Sequence, residues 1–263
     1  MASPLSLRES QANPWIANYR PNPQARLRLF CFPYAGGNST IYRNWPTSLP
    51  DLIEVCPVHL PGRAGRLNEQ PFHKLLPLVE AAGAALSPYL DKPFAFFGHS
   101  MGAMISFELA RLLRRQNRAL PLHIFASGRR GPQVPDREDP TYNLPQSVFI
   151  EELRRLNGTP KDVLEHPELM QLMTQLLRAD FEVCQTYDYR PEPPLKCPIT
   201  AFGGLQDVDI TREDMEGWRV QTAVAFTLRM LPGDHFFLHT QESIVLEALS
   251  RELYQLASVV NCR

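Results

Sequence analysis

The chain has 263 residues, 44% of them apolar, with 27 Lys and Arg against 28 Asp and Glu. That length can bury a substantial core, and a formal net charge of −1 gives no general attraction to nucleic acid or an anionic membrane. No apolar run reaches the ~18 residues of a membrane span, and the opening MASPLSLRESQANPWIANYRP has neither the basic nor the apolar segment of a secretory signal.

In chain order, residues 1–25 are polar and punctuated by proline, and read as a loosely ordered leader in which Trp15 and Ile16 can pack onto the body. RLRLFCF (26–32) reads as a strand, followed by the glycine turn PYAGGNST and a helix through Trp45. LIEVCPVHL (52–60) is a second strand, closed by PGRAGR, and 74–90 a helix. FAFFG (94–98) is wholly apolar, as a strand buried on both faces of a parallel sheet should be. A helix over 101–117 ends in RLLRRQNR, where the helix dipole favours cations. LHIFASG (122–128) is the next strand. The alternation predicts an α/β fold, a mostly parallel doubly wound sheet. It breaks between 129 and 195, where QSVFIEELRRL and PELMQLMTQLLRADFEVCQTY have helical spacing and no strand is evident. Strands resume with CPITAFGG (197–204) and AFTLRMLPG (225–233), and an amphipathic helix over 243–260 buries Val245, Leu249, Leu253 and Leu256. The expected organisation is therefore a core of 26–128 and 196–263, with 129–195 as a helical lid.

Gly98-His99-Ser100-Met101-Gly102 fits G-x-S-x-G between a buried strand and a helix. A serine there sits on a tight turn that lifts its hydroxyl above the sheet, and side chains at 98 and 102 would collide. A serine hydroxyl needs a base, and the base needs an acid, in the chain order Ser, Asp or Glu, His. FGGLQDVD supplies Asp207, with Asp209 as rival; LPGDHFF supplies His235, with His239 as rival. Asp207 is nearer the end of its strand, and His235 lies directly after the last one. His99 points away from its neighbour Ser100 and shapes the turn. Two backbone N–H groups are needed to receive an oxyanion: that of Met101, and one from FPYAGG (32–37), where Ala35 is preferred and Tyr34 is second. The cysteines, Cys31, Cys56, Cys184, Cys197 and Cys262, are scattered with no C-x-x-C pair, which fits reduced thiols, a cytoplasmic location and no metal site.

From about residue 13 to 257 the sequence resembles the type II thioesterases of polyketide, nonribosomal peptide and fatty acid synthesis. The markers are CFPYAGGNSTIYRNW, HLPGRAGR, KPFAFFGHSMGAMISFELAR, LNGTP (156–160), LLRADFEVCQTY (176–187), FGGLQDVDITREDMEGW and LPGDHFFLH. The resemblance implies an α/β-hydrolase core, a mobile helical lid and hydrolysis of acyl groups from the phosphopantetheine arm of a carrier protein, which edits stalled or misprimed synthase modules. It carries the catalytic roles to Ser100, Asp207 and His235 and the oxyanion donors to Ala35 and Met101. It implies a monomer, transient docking to acyl or peptidyl carrier domains, and no cofactor beyond the phosphopantetheine that the substrate brings.

Tyr34, Met170, Met173 and Leu177 are the expected acyl-chain contacts, with Leu172 and Leu176 on the same lid helix; methionine's flexibility suits varied chains. An acidic carrier calls for a basic surface. The candidate clusters are Arg111, Arg114, Arg115 and Arg118, then Arg129 and Arg130, then Arg154 and Arg155. A small-molecule esterase, lipase or acyltransferase would share the fold and triad, and a non-catalytic carrier-binding scaffold would have no use for the strained serine.

Overall fold

Six apolar segments become the six strands of one sheet in the computed structural model, which describes residues 13–16, 21–137, 139–156, 158 and 166–259, apart from the side chains of Pro167 and Leu172. The strands are β1 (Leu27–Phe32), β2 (Ile53–Pro57), β3 (Phe94–His99), β4 (Ile124–Ser127), β5 (Ile199–Gly204) and β6 (Phe226–Leu231). Their order is β2-β1-β3-β4-β5-β6, and every pair is parallel. The chain leaves β1 toward one edge and returns to β3 on the other side. The carboxyl ends of β1 and β3 therefore flank the switch point where open α/β sheets form their ligand crevice. The register places Phe32 beside Gly98, so the turns that follow both strands leave the sheet at the same level.

Strand alternation sorts the core into two layers. Phe30, Phe32, Phe94, Phe96 and Ile124 point to one face, against α2 (Leu75–Leu86) and α3 (Met101–Arg115). Leu27, Leu29, Cys31, Ala95, Phe97, Phe125 and Phe202 point to the other, against Val245, Leu249 and Leu253 of the closing helix Glu242–Val259. Leu256, placed with them by its spacing, is only half-buried at the margin of that layer.

The helix expected through Trp45 is shorter than its sequence suggests: a 3₁₀ turn over Ser39–Tyr42, then α1 (Trp45–Ser48). Pro46 sits in the first turn of α1 and Pro50 follows it, which leaves room for one turn only. Residues 129–195 hold no strand of the sheet among the described residues; they carry α4 (Gln146–Leu156) and α5 (Pro167–Gln185). After β5 comes α6 (Arg212–Glu216), opened by a Thr211–Asp214 capping box, and after β6 comes α7 (Phe237–Thr240). Both are too short to show a period in sequence. The closing helix is α8 (Glu242–Val259).

In the leader, Ile16 forms an antiparallel bridge with Val58, the His59 N–H donates to the Trp15 carbonyl (2.8 Å), and the Arg66 guanidinium covers the Trp15 ring at 4.7 Å. Most of the expected loose segment, 1–12 and 17–20, lies outside the described residues, as do most of LNGTP and Cys262. The remaining four cysteines are free thiols.

Candidate active site

Ser100 has φ 53° and ψ −113°, a left-handed conformation that side chains other than glycine adopt at a cost of about 1–3 kcal/mol. The turn is possible because its flanks are bare. A Cβ on Gly98 would stand 2.0 Å from the Gly102 carbonyl oxygen, and a Cβ on Gly102 would stand 2.1 Å from that of Phe32. The strand thus delivers Ser100 to the N-terminus of α3, where unpaired N–H groups and the helix dipole favour negative charge.

The acid and the histidine come from the two loops beyond β5 and β6. Those loops touch closely: a Cβ on Gly204 would lie 2.4 Å from the Asp234 carbonyl oxygen. The Asp207 carboxylate is buried, its side chain 1% exposed. Its Oδ1 accepts from the backbone N–H of Asp209 (3.0 Å) and Ile210 (3.1 Å), and its Oδ2 faces His235 Nδ1 at 2.7 Å. The two N–H bonds to Oδ1 hold the carboxylate with Oδ2 toward the imidazole. With Nδ1 engaged, Nε2 is the nitrogen left for chemistry, and His235 and Ser100 line the same cavity of about 800 Å³.

The rivals line the same cavity but are engaged by other groups. Asp209 pairs with Arg155 of α4 (2.8 Å), and its carbonyl accepts from Arg130 (2.9 Å). His239 Nε2 meets the Tyr34 hydroxyl at 2.9 Å. His99 is fully buried, bonded through Nδ1 to the Ser127 hydroxyl (2.8 Å), with its ring 5.3 Å from that of His235. Burial, and secondarily the neighbouring His235, push the His99 imidazole well below the usual range, so it stays neutral and shapes the turn.

The Tyr34–Gly37 turn is closed by Gly37 N–H on the Tyr34 carbonyl (2.9 Å), with Gly36 at φ +74°, the positive angle that a type II turn demands at its third position. The N–H groups of Ala35 and Met101 donate to no acceptor among the described residues. Tyr34, Met173 and Leu177 line the cavity with Ala35 and Ser100.

Met170 does not. It packs with Phe149, Leu153 and Leu177 in a small core between α4 and α5, one turn from Met173 on the same helix. Leu176 is buried away from the cavity as well, and the Leu172 side chain lies outside the described residues. Among the cavity residues that sequence reasoning did not place there are Phe236, whose ring stands 5.2 Å from that of His235, and Arg155, which it read as part of a docking cluster.

The arginines of the expected basic docking clusters are largely paired with the chain's own carboxylates. Arg111 is buried between Glu108 (2.6 Å) and Glu192 (2.9 Å), and Arg114 and Arg115 pair with the same Glu192. Arg118 donates to Ser87, Arg129 and Arg130 reach Asp136, Arg154 reaches Glu151, and Arg155 reaches Glu152 and Asp209. Arg111, Arg114 and Arg115, in the last turns of α3, clamp the segment around Glu192 to the core.

A strained serine between strand and helix of a parallel sheet, with an acid beyond β5 hydrogen-bonded to a histidine beyond β6, defines an α/β-hydrolase. The chain belongs to the thioesterase family, whose thioesterase-domain pattern it matches over residues 27–253, and it is an acyl-thioester hydrolase of the type II branch. It is 46% identical over 244 residues to the gramicidin S biosynthesis protein GrsT of Aneurinibacillus migulanus, covering 93% of this chain and 95% of that one. Among solved structures it is similar to RedJ, a thioesterase from the prodiginine biosynthetic pathway in Streptomyces coelicolor (40% identity, 87% of this chain and 91% of that one, TM-score 0.82). It is likewise similar to BorB, the type II thioesterase of the borrelidin biosynthetic cluster (34% identity, 91% and 97% covered, TM-score 0.82).

Proposed function

We propose that this enzyme hydrolyses acyl groups from the phosphopantetheine thioester of acyl or peptidyl carrier domains, and so edits stalled or misprimed modules of a biosynthetic synthase. The observation that carries the reading is the 2.7 Å contact of His235 Nδ1 with buried Asp207, in a cavity shared with the strained Ser100. The biosynthetic relatives support the substrate class.

In this reading Ser100 Oγ attacks the thioester carbonyl carbon as its proton passes to His235 Nε2. Asp207 holds the imidazole in the tautomer that can accept it and stabilises the imidazolium that results. The oxyanion is received by the N–H groups of Ala35 and Met101. As the tetrahedral intermediate collapses, the C–S bond breaks and His235 returns the proton to the pantetheine sulfur. Water then attacks the Ser100 ester, giving its proton to His235; as the C–Oγ bond breaks, His235 returns that proton to Ser100 Oγ and the free acid leaves. Tyr34, Met173 and Leu177 contact the acyl chain beneath the lid formed by 129–195.

The reading calls on no metal or cofactor, because the substrate brings its own phosphopantetheine. It has the enzyme act in the cytoplasm as a monomer that meets its carrier transiently, without nucleic acid or membrane. Among the described residues no helix is long and apolar enough to cross a membrane.

The test is release of acetyl and longer acyl groups from loaded carrier protein, followed by intact-protein mass spectrometry, beside an oxygen ester of the same chain. Wild type should unload carriers faster than it cleaves the ester, and Ser100→Ala should do neither. Ester cleavage with the carriers left loaded would instead mark a small-molecule esterase.

A further inference from the structure

The oxyanion turn is gripped from the lid. Asp180 lies on α5, and Arg63 lies in the loop after β2; both side chains are almost wholly buried, at 3% and 4% exposure. The guanidinium meets the carboxylate with both forks, Nη2 to Oδ1 at 2.8 Å and Nη1 to Oδ2 at 2.9 Å. The rest of the network falls on the turn. Asp180 Oδ2 accepts the Gly36 N–H at 2.7 Å, and Arg63 Nη1 donates to the Gly37 carbonyl at 3.0 Å. One turn before Asp180 on the same helix, Leu177 presses on the same place: a Cβ on Gly36 would lie 2.5 Å from Leu177 Cδ2.

A buried ion pair adds little net stability, since desolvation offsets the attraction between the charges. Stability is therefore a poor account of this pair. Position is a better one. The Gly36 N–H belongs to the peptide unit next to the one that carries the Ala35 N–H. The Ala35 N–H shares its own peptide unit with the Tyr34 carbonyl, which the Gly37 N–H holds from within the turn at 2.9 Å; fixing the next unit against Asp180 anchors that turn from outside and so restrains the direction of its neighbour.

We propose that Asp180, seated on Arg63, is a positioning residue that aims the Ala35 N–H into the cavity, so that the oxyanion hole is complete only while α5 is docked. This rests on the reading above, in which Ala35 and Met101 receive the oxyanion. It makes catalysis conditional on the lid: an acyl chain that fits beneath Met173 and Leu177 leaves the hole intact, whereas one that lifts α5 withdraws the acceptor from Gly36 and slows its own hydrolysis.

Two double variants separate positioning from folding, because neither leaves a buried charge unpaired. Arg63→Met with Asp180→Asn keeps an amide oxygen for the Gly36 N–H; Arg63→Met with Asp180→Leu removes it. The probes are an acyl trifluoromethyl ketone, which becomes a hemiketal on Ser100 with its oxygen in the oxyanion position, and the matching thioether, which binds without reacting. The Leu double should lose about 10- to 100-fold in kcat relative to the Asn double. Its ketone affinity should fall by the same factor, and its thioether affinity should stay within about twofold. Equal kcat and ketone affinity in the two doubles, or a loss confined to KM and thioether binding, would overturn the proposal. If either double fails to fold, hydrogen exchange in the wild type decides: the Gly36 amide should open together with the α5 amides, and independent, faster opening would overturn the coupling. A wild type that binds the ketone no more tightly than the thioether would overturn the site reading itself, and with it this extension.

Discussion

The Gly102→Ala variant tests the elbow, because the structure fixes both the size and the direction of the damage. The added methyl would sit 2.1 Å from the Phe32 carbonyl oxygen, 2.6 Å from its carbon and 2.9 Å from the Pro33 oxygen. All three neighbours are backbone, so no side chain can rotate away. Cβ contacts do not go below 3.0 Å, so the start of α3 and the end of β1 must part by about 1 Å. Those two segments carry Met101 and the Tyr34–Gly37 turn, so the parting separates the two proposed oxyanion donors. Overpacking of this kind costs about 1–3 kcal/mol in stability, and a misplacement of about 1 Å costs up to about 100-fold in rate. The chain should therefore fold, with a lowered urea midpoint and kcat down by one to two orders of magnitude on a chromogenic acyl thioester. A folded Gly102→Ala enzyme with kcat within threefold of wild type would refute the argument that backbone contact at the elbow sets the oxyanion geometry.

Asp207→Asn should lower kcat by about three to four orders of magnitude with little change in KM, since an amide favours the wrong imidazole tautomer. Asp209→Asn should leave the chemical step within a few-fold, because that carboxylate faces Arg155 rather than His235; steady-state kinetics on both variants distinguish the two acids. His123 is buried against Thr200 (2.9 Å) and Glu252 (3.3 Å), and burial pushes its imidazole down to about 4. The unfolded chain takes up this proton near pH 6.5 and the folded chain only near 4, so stability present above pH 6.5 should drain away as pH falls through that window, by about 3 kcal/mol. His123→Gln should flatten that part of the urea-midpoint profile, and an unchanged slope would remove His123 as its source. Met173→Ala should shift the preferred acyl chain length in a chain-length series, whereas Met170→Ala should lower the melting temperature and leave the preference unchanged.

The sheet was legible because each strand announces itself locally. FAFFG reads as a strand buried on both faces, and in the structure Phe94, Phe96 and Phe97 divide between the two core layers. The serine was legible from its glycines, since they are required by contacts within and beside one turn. The choice between Asp207 and Asp209 followed from distance to the strand end; in the structure Asp207 meets His235 at 2.7 Å and Asp209 meets Arg155. What sequence did not reveal depends on contacts between distant segments. Met170 and Met173 both satisfy helical periodicity; only the packing of α5 between α4 and the cavity separates them. Arg111, Arg114 and Arg115 at the end of α3 read as an open cationic face because their shared partner, Glu192, stands nearly eighty positions downstream. Arg63 and Asp180 are 117 positions apart, and each alone reads as an ordinary charged residue.

The most direct test of the central claim is to look for the acyl group on Ser100. The enzyme would be mixed with a carrier bearing an acyl-phosphopantetheine of known mass, quenched in acid within one turnover, and mapped by peptide mass spectrometry. The account predicts a transient adduct of the acyl mass on the peptide containing Ser100, absent in Ser100→Ala and decaying as free acid appears. Full hydrolysis of the carrier thioester with no adduct at any time, or an adduct on another residue, would contradict it.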